Sequence, residues 1–191
     1  MKKFAMVAAA TLLIGTGCGA KQVKRIDPDA TEGVTTKWGR TDIQETVDKM
    51  VKDMLKDQGD DLRGRPVLII DPVRNDTGEF IDTQNVTDLV RDKLMDSGRF
   101  TFTVSKKERS GVVDEIEEQD ESGAFEKSAE PEENPGLKRP EYTMKGRISS
   151  IEKQNEDVKD VYYQITLQLY KIRKGVIVWT NTSKIAKQQE R

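Results

Sequence analysis

The feature that most constrains the fold is a stretch of strict alternation in the last third of this 191-residue chain. In VYYQITLQLY, the apolar residues Val161, Tyr163, Ile165, Leu167 and Leu169 alternate with more polar ones. Successive side chains of a β-strand point to opposite faces, so the stretch predicts a strand with one packed face and one wet face. The chain must therefore build a sheet that is covered on one side.

Two neighbouring stretches place this strand in a meander. YTMKGRISSI, residues 142–151, precedes it across a polar turn near Asn155, and VIVWT, residues 176–180, follows a turn at Lys174 and Gly175. Strands joined by short turns of this kind are typical of antiparallel hairpins. The last third of the chain is therefore predicted to form three antiparallel strands.

Helical periodicity predicts the first element that covers this sheet. Thr41 and Gln44 fit a capping box, and Gly59 fits a helix stop. Between them the apolar residues recur at helical spacing. They are Ile43, Val47, Met50, Val51, Met54 and Leu55. This stripe predicts a helix that buries one face in the core.

The middle of the chain predicts two more strands and two more helices. VLII, residues 67–70, is a continuous apolar run typical of a strand buried on both faces, and FTFTV, residues 100–104, alternates. A helix starts near Thr83, and Ser105 with Glu108 caps a third helix. The apolar face of the second helix consists of Val86, Leu89, Val90 and Leu94. The pattern predicts an α+β (α/β) fold with a single, largely antiparallel sheet covered by helices.

The composition disfavours several kinds of chemistry. The chain has no histidine and one cysteine, which leaves no Ser-His-Asp or Cys-His nucleophile system. There is no glycine-rich phosphate loop, and a zinc site would need carboxylates alone. The acids near residues 71–82 are ordinary for turns and caps. We expect a protein that is not an enzyme and has no metal or cofactor.

The charge balance also bears on partners. The chain has 32 basic and 34 acidic residues, and its net charge is −2. This balance gives no sign of nucleic-acid binding, which would require a basic excess. Residues 114–133 carry ten acidic residues, and prolines follow, so an acidic loop is predicted near 114–140. It is either a contact for a basic partner or, as we favour, a solvated helix end and loop.

The first 18 residues have the layout of a secretory signal. Lys2 and Lys3 precede an apolar run at 4–14, then small residues lead to Cys18. The run is well short of the roughly 20 residues that span a bilayer. A redox-active or metal-binding cysteine would require a second cysteine or a histidine nearby. LLIGTGCGAKQ is similar to the lipobox of bacterial lipoproteins, whose cysteine carries lipid; the alternative is an ordinary cleaved signal with a bystander cysteine.

The sequence therefore predicts three parts. Residues 1–17 form the signal peptide. Residues 18–37 lack a hydrophobic period and are expected to form a flexible tether that starts at the lipidated cysteine. Residues 38–191 form the globular domain.

Four stretches, in order, carry a resemblance to a known family. They are WGRTDIQETVDKMVKDML, RPVLIIDPVRNDTGEFIDT, DKLMDSGRFTF and YTMKGRISSIEKQNEDVKDVYYQITLQLYKIRKGVIVW. Behind a lipobox, they resemble the LpoB family of outer-membrane lipoproteins, which activate class A penicillin-binding proteins. The resemblance implies a fold related to the amino-terminal domain of TolB.

The resemblance also implies a function and a location. A lipid on Cys18 would hold the chain at the periplasmic face of the outer membrane, since Gly19 is not the Asp that retains lipoproteins at the inner membrane. The domain, a monomer, would dock on a small regulatory domain of the synthase and favour its active state. The alternative is a structural or assembly lipoprotein that binds an envelope partner without changing its rate.

The predicted contact lies in the turn after the first strand. Arg74, Asn75 and Thr77 fall within the stretch that matches the family's Asn-x-Thr pattern, and Phe80 follows. Arginine and aromatic residues are enriched among binding hot spots. We therefore expect Arg74 and Phe80 to contact the partner. The alternative is that Phe80 covers the core under the turn and Arg74 is merely solvated.

Overall fold

The chain divides into two units, Met1–Thr31 and Glu32–Arg191. The computed structural model describes residues 27, 35–59, 62–105, 107–122 and 138–190. Ten elements lie in the described part of the second unit. The helices are α1 (Arg40–Asp57), α2 (Thr83–Asp96) and α3 (Arg109–Ser122), with a short 3-10 turn at Ile172–Lys174. The strands are β1 (Val67–Ile70), β2 (Arg74–Asp76), β3 (Thr101–Phe102), β4 (Tyr142–Gln154), β5 (Val158–Lys171) and β6 (Val176–Glu190).

All six strands belong to one sheet. The order is β3-β1-β4-β5-β6, and β2 pairs with β4 beyond the end of β1. The short strand β1 pairs in parallel with β3 and with β4, and β2 pairs in parallel with β4. The strands β4, β5 and β6 form a long antiparallel meander. The predicted α+β fold with a largely antiparallel sheet is therefore confirmed.

The alternation in β5 separates the two faces of the sheet as predicted. Val161, Tyr163, Ile165, Leu167 and Leu169 are all buried, and the residues between them are half-buried or exposed. The stripes of α1 and α2 join the buried side chains of the sheet in one cluster. One face is therefore covered by helices, and the other, whose β5 side chains are half-buried or exposed, we call the open face.

Contacts from α1 to β6 fix this helix over the covered face. Lys187 Nζ lies 2.5 Å from Asp42 Oδ2, and Asn181 Nδ2 donates to Asp53 Oδ2 over 3.2 Å. The helix begins differently from the prediction. Gly39, and not the predicted Thr41, is the N-cap, because Asp42 at the third helical position accepts the Gly39 N–H at 2.8 Å and so stabilises a helix start at Arg40.

The other two helices start with side-chain caps. Asp82 accepts hydrogen bonds from the N–H groups of Gln84 and Asn85 and so caps α2. The predicted Ser105 and Glu108 pair forms before α3, where Ser105 N–H donates to Glu108 Oε2 at 3.0 Å. Hydrogen bonds from the Ser105 hydroxyl and N–H lower the pKa of Glu108. The third helix extends to Ser122 and so includes the start of the acidic stretch.

Several strands differ from the prediction. Residues 74–76, predicted to lie at a turn, pair with β4 as β2, because the chain resumes its parallel course after Pro72. The predicted strand at 100–104 shortens to Thr101–Phe102. Conversely, β6 runs ten residues past the predicted end at Thr180, to Glu190. Its alternating small and polar side chains suit an edge strand that has one wet face.

Candidate functional site

The turn at residues 74–80, which we call the binding turn, is held by its own side chains. Asn75 Nδ2 donates to the carbonyl oxygen of Glu79 at 2.8 Å, and Thr77 N–H donates to Asn75 Oδ1 at 2.9 Å. Thr77 Oγ1 accepts from Glu79 N–H at 3.2 Å. Asn75 and Thr77 are half-buried, and their hydrogen bonds go to the turn itself. Their role in this arrangement is to shape the turn.

A buried anchor connects the binding turn to the sheet. The Tyr163 hydroxyl donates to Glu79 Oε1 at 2.5 Å, and its ring is only 1% exposed. Burial raises the pKa of Tyr163, and the hydrogen bond to the Glu79 carboxylate raises it further. The phenol therefore stays protonated, and can donate to Glu79, to a higher pH than an ordinary tyrosine.

Arg74 lies at the other end of the turn, on the open face. Its side chain is 70% exposed and lies 3.2 Å from Asp76. The register brings Arg74 beside Arg147 of β4, and Arg147 Nε is 3.9 Å from the same Asp76 carboxylate. Arg74, Arg147 and Tyr170 border a depression of about 470 Å³. The guanidinium of Arg74 is thus available at the edge of a polar surface.

Phe80 stands out from the surface. Its side chain is 96% exposed, so it does not cover the core under the turn. It borders a cleft of about 310 Å³ between the starts of α1 and α2, together with Trp38, Ile43 and Leu89. Arg74 and Phe80 therefore border different depressions, one on each side of the binding turn.

Several residues of this region were not among the predicted site residues. Glu79 and Tyr163 hold the binding turn, while Lys145, Arg147 and Tyr170 border the depression on the open face. Lys145 Nζ lies 5.4 Å from the Tyr170 ring centroid. The alternation of β4 and β5 predicts that Lys145, Arg147 and Tyr170 lie on the open face. That they lie near Arg74 depends on strand pairing, which the local sequence does not show. Cys18 lies outside the described residues.

Two further properties concern the described part of the chain only. No helix within it combines the length and the apolar character that a membrane crossing requires. The same residues contain no group of three or more His, Cys, Asp or Glu side chains placed to hold a metal ion.

The fold and the binding turn together define a small α+β domain with one helix-covered sheet face and one open face. A family model described as peptidoglycan-synthase activator LpoB matches residues 42–185. The chain therefore belongs to the LpoB family. No curated protein matches the chain.

The chain is also similar to several solved structures. The LpoB C-terminal domain from Escherichia coli is 20% identical, with a TM-score of 0.46 over 75% of this chain and 98% of that one. The LpoB C-terminal domain from Salmonella enterica is 18% identical, with a TM-score of 0.45 and the same coverage. Lipoprotein GNA1162 from Neisseria meningitidis is 8% identical, with a TM-score of 0.40 over 64% of this chain and 83% of that one.

Proposed function

We propose that this chain is a non-enzymatic lipoprotein that binds and activates a class A penicillin-binding protein. The observation that carries the proposal is the match of residues 42–185 to the family described as peptidoglycan-synthase activator. The synthase performs the chemistry, and this chain supplies binding energy. Activation then requires that the chain bind the active conformation of the synthase more tightly than the inactive one.

The binding turn supports this proposal with suitable side chains on a fixed loop. Arg74 and Phe80 are exposed, and both residue types are enriched among hot spots. Asn75 and Thr77 hold the loop before any partner arrives. A loop that is already ordered loses less conformational entropy on binding, and more of the contact energy contributes to affinity.

The partner contact is expected on the small regulatory docking domain of the synthase, which this chain meets as a monomer. A lipid on Cys18 would hold the chain at the periplasmic face of the outer membrane. One acyl chain binds membranes only marginally, with a constant on the order of 10⁴ M⁻¹, whereas two or more anchor stably. Residues 18–37 would form the tether. Nineteen residues, 19–37, extend to at most about 63 to 68 Å.

Intact mass spectrometry of the native protein tests the anchor. We expect a chain that begins at Cys18 and carries acyl groups, and we expect Cys18→Ser to move the protein from the membrane fraction to the soluble periplasm. A native chain that is uncut, or cut without acylation, would rule out the lipid anchor.

Glycan polymerisation by the class A synthase of the same organism tests the activation. We expect a faster rate when the chain lacking residues 1–18 is added, and no response from a synthase that lacks its regulatory docking domain. Binding to the intact synthase without a change in rate would instead identify a structural or assembly lipoprotein.

A further inference from the structure

The residues that lead into α1 dock on the same side chains that hold the binding turn. We call residues 36–38 the strap. The carbonyl oxygen of Thr36 lies 2.9 Å from the Tyr163 hydroxyl oxygen, and Trp38 N–H donates to Glu79 Oε2 at 3.4 Å. The Trp38 ring packs edge-on against Tyr163 with centroids 5.3 Å apart. The strap is thus attached to Tyr163 and Glu79.

Glu79 is the residue shared by the strap and the binding turn. One carboxylate oxygen accepts from Tyr163 and the other from Trp38. Its backbone N–H and carbonyl group take part in the hydrogen bonds with Thr77 and Asn75 that close the turn. A change in the position of the Glu79 side chain therefore acts on the strap and on the turn at once.

One polar group of the strap is unsatisfied within the described part of the chain. Trp38 is half-buried, and its indole Nε1 is buried without a hydrogen-bond partner among the described residues. A buried donor without a partner carries a desolvation cost. Lys187 adds one contact, because its Nζ donates to the carbonyl oxygen of Lys37 at 2.7 Å. Trp38 packs against the edge of the core cluster, whereas Thr36 and Lys37 are held through their carbonyl oxygens, so this segment can open locally while the sheet stays folded.

We propose that the strap and the binding turn form one cooperative unit that opens and closes through the Glu79 carboxylate. Loss of the strap removes the Trp38 N–H from Glu79 and frees that side chain to move. The turn then loses the fixed position of Glu79 on which its closing hydrogen bonds depend. Conversely, a ligand that holds the turn in its closed form also holds the strap, since coupling between two sites is reciprocal.

The coupling has a consequence that rests on the proposed function. Thr36 and Lys37 of the strap are the last two residues of the predicted tether, so tension on the tether acts on the strap before it reaches the core. Opening the strap would loosen the binding turn and lower the affinity for the synthase. A bound synthase would in turn resist the release of the strap.

Hydrogen–deuterium exchange of the chain lacking residues 1–18, without any partner, tests the cooperative unit. We expect Glu79→Gln to speed exchange of the amides of 36–39 and 77–80 together, by about tenfold, because it replaces a charged acceptor of two hydrogen bonds. The matched control is Glu141→Gln, since Glu141 Oε1 also accepts a backbone N–H, from Val67 at 3.3 Å. This control should leave both segments unchanged.

A second variant acts from the strap side. Trp38→Ala should also speed exchange at 77–80, because it removes the ring that packs the strap against Tyr163. The double variant with Glu79→Gln should change exchange no more than the larger single effect, because both changes break one unit. Amides of α2 and β5 report global unfolding and should keep their wild-type rates.

The outcomes separate this proposal from the proposed function. If Trp38→Ala leaves the exchange of 77–80 unchanged, or if the two changes add fully, the strap and the turn are independent and the proposal is wrong. If exchange is coupled and Glu79→Gln also weakens synthase binding several-fold, both proposals stand. If exchange is coupled and Glu79→Gln leaves synthase binding unchanged, the cooperative unit is supported, and the binding turn is not part of the surface that contacts the synthase.

Discussion

Thr87 is a polar residue in the core, and it joins α2 to the segment between β1 and β2. It is 1% exposed. Its Oγ1 donates to the carbonyl oxygen of Thr83 at 2.6 Å and accepts from the N–H of Val73 at 2.9 Å. This single hydroxyl satisfies a buried backbone donor and orients the chain just before the binding turn.

Replacing Thr87 by valine keeps the shape and removes that acceptor. The Val73 N–H is then left buried without this partner, which costs about 1 to 3 kcal/mol of unfolding free energy. The matched control is Thr182→Val on the exposed side of β6, where a change within about 0.5 kcal/mol is expected. Urea denaturation measures both. Equal losses would show that the Thr87 hydroxyl does not satisfy a buried donor.

The Tyr163 phenol gives the domain a specific response to alkaline pH. Its pKa is raised in the folded state above the ordinary value of 10.0, by burial first and by Glu79 second. The stabilisation is complete below pH 10 and is lost as pH rises through the folded pKa, because only the unfolded chain releases the proton in that window. The loss is at most about 1.4 kcal/mol per pH unit.

Tyr163→Phe isolates this contribution. The wild-type chain should be the more stable below pH 10, and the difference in unfolding free energy should shrink as pH rises above 10. Chemical denaturation of both chains at several pH values between 8 and 11.5 measures the difference. A difference that stays constant over this range would show that the phenol titrates alike in the folded and unfolded chains.

The residues of the binding turn show what local sequence can predict. Residue type and turn position indicated Arg74 and Phe80 as contact candidates, and both are exposed. Glu79 gave no such signal, because an acid in a turn is ordinary. Its importance comes from Tyr163, which lies 84 positions away. Contacts at that distance depend on the fold and are not encoded in a local pattern.

At the scale of elements, the strands of the meander contribute many of the buried side chains of the core. Leu167 of β5 is 1% exposed, and it belongs to the cluster shared with α1 and α2. The neighbouring Gln168 lies on the open face. Leu167→Ala should therefore lower the unfolding free energy by about 2 to 5 kcal/mol, since it leaves a cavity.

Gln168→Ala is the matched control one position along the strand. It removes a half-buried side chain and should change the melting temperature little. Thermal unfolding followed by circular dichroism compares the two variants. A larger effect of Gln168→Ala than of Leu167→Ala would mean that the buried face of β5 is the other one.

The elements were predictable where pattern and packing agree. The apolar stripes of α1 and α2 and the alternation of β5 predict their burial, because one face of each is in the core. The far half of β6 was missed, since a polar edge strand has the composition of a loop. Similarly, Arg74–Asp76 is a strand only because β4 lies beside it, and pairing partners are not visible in the strand itself.

At the scale of the whole molecule, the domain has two distinct surfaces around the binding turn. Arg74 lies on the side of the open face, with Arg147 and Lys145, and Phe80 lies beside the cleft between α1 and α2. A partner that contacts both residues must therefore straddle the turn. A partner that uses only one surface would depend on Arg74 or on Phe80, but not on both.

Affinity for the synthase, measured with stability, decides between these geometries. We expect Arg74→Ala and Phe80→Ala each to weaken binding while the melting temperature stays unchanged, because both side chains are exposed. A hot-spot truncation costs at least about 2 kcal/mol, which is roughly thirtyfold in affinity. Loss in only one of the two variants would assign the contact to the corresponding surface.

Met95 provides the matched control for Phe80. It is a large apolar side chain, 54% exposed, at the opposite end of α2, so Met95→Ala removes exposed apolar area away from the turn. It should leave affinity unchanged. Glu118→Ala tests the acidic face of α3, where Glu118 borders a separate depression. If Glu118→Ala weakens binding while Arg74→Ala and Phe80→Ala do not, the synthase contacts α3, and the binding turn has a structural role only.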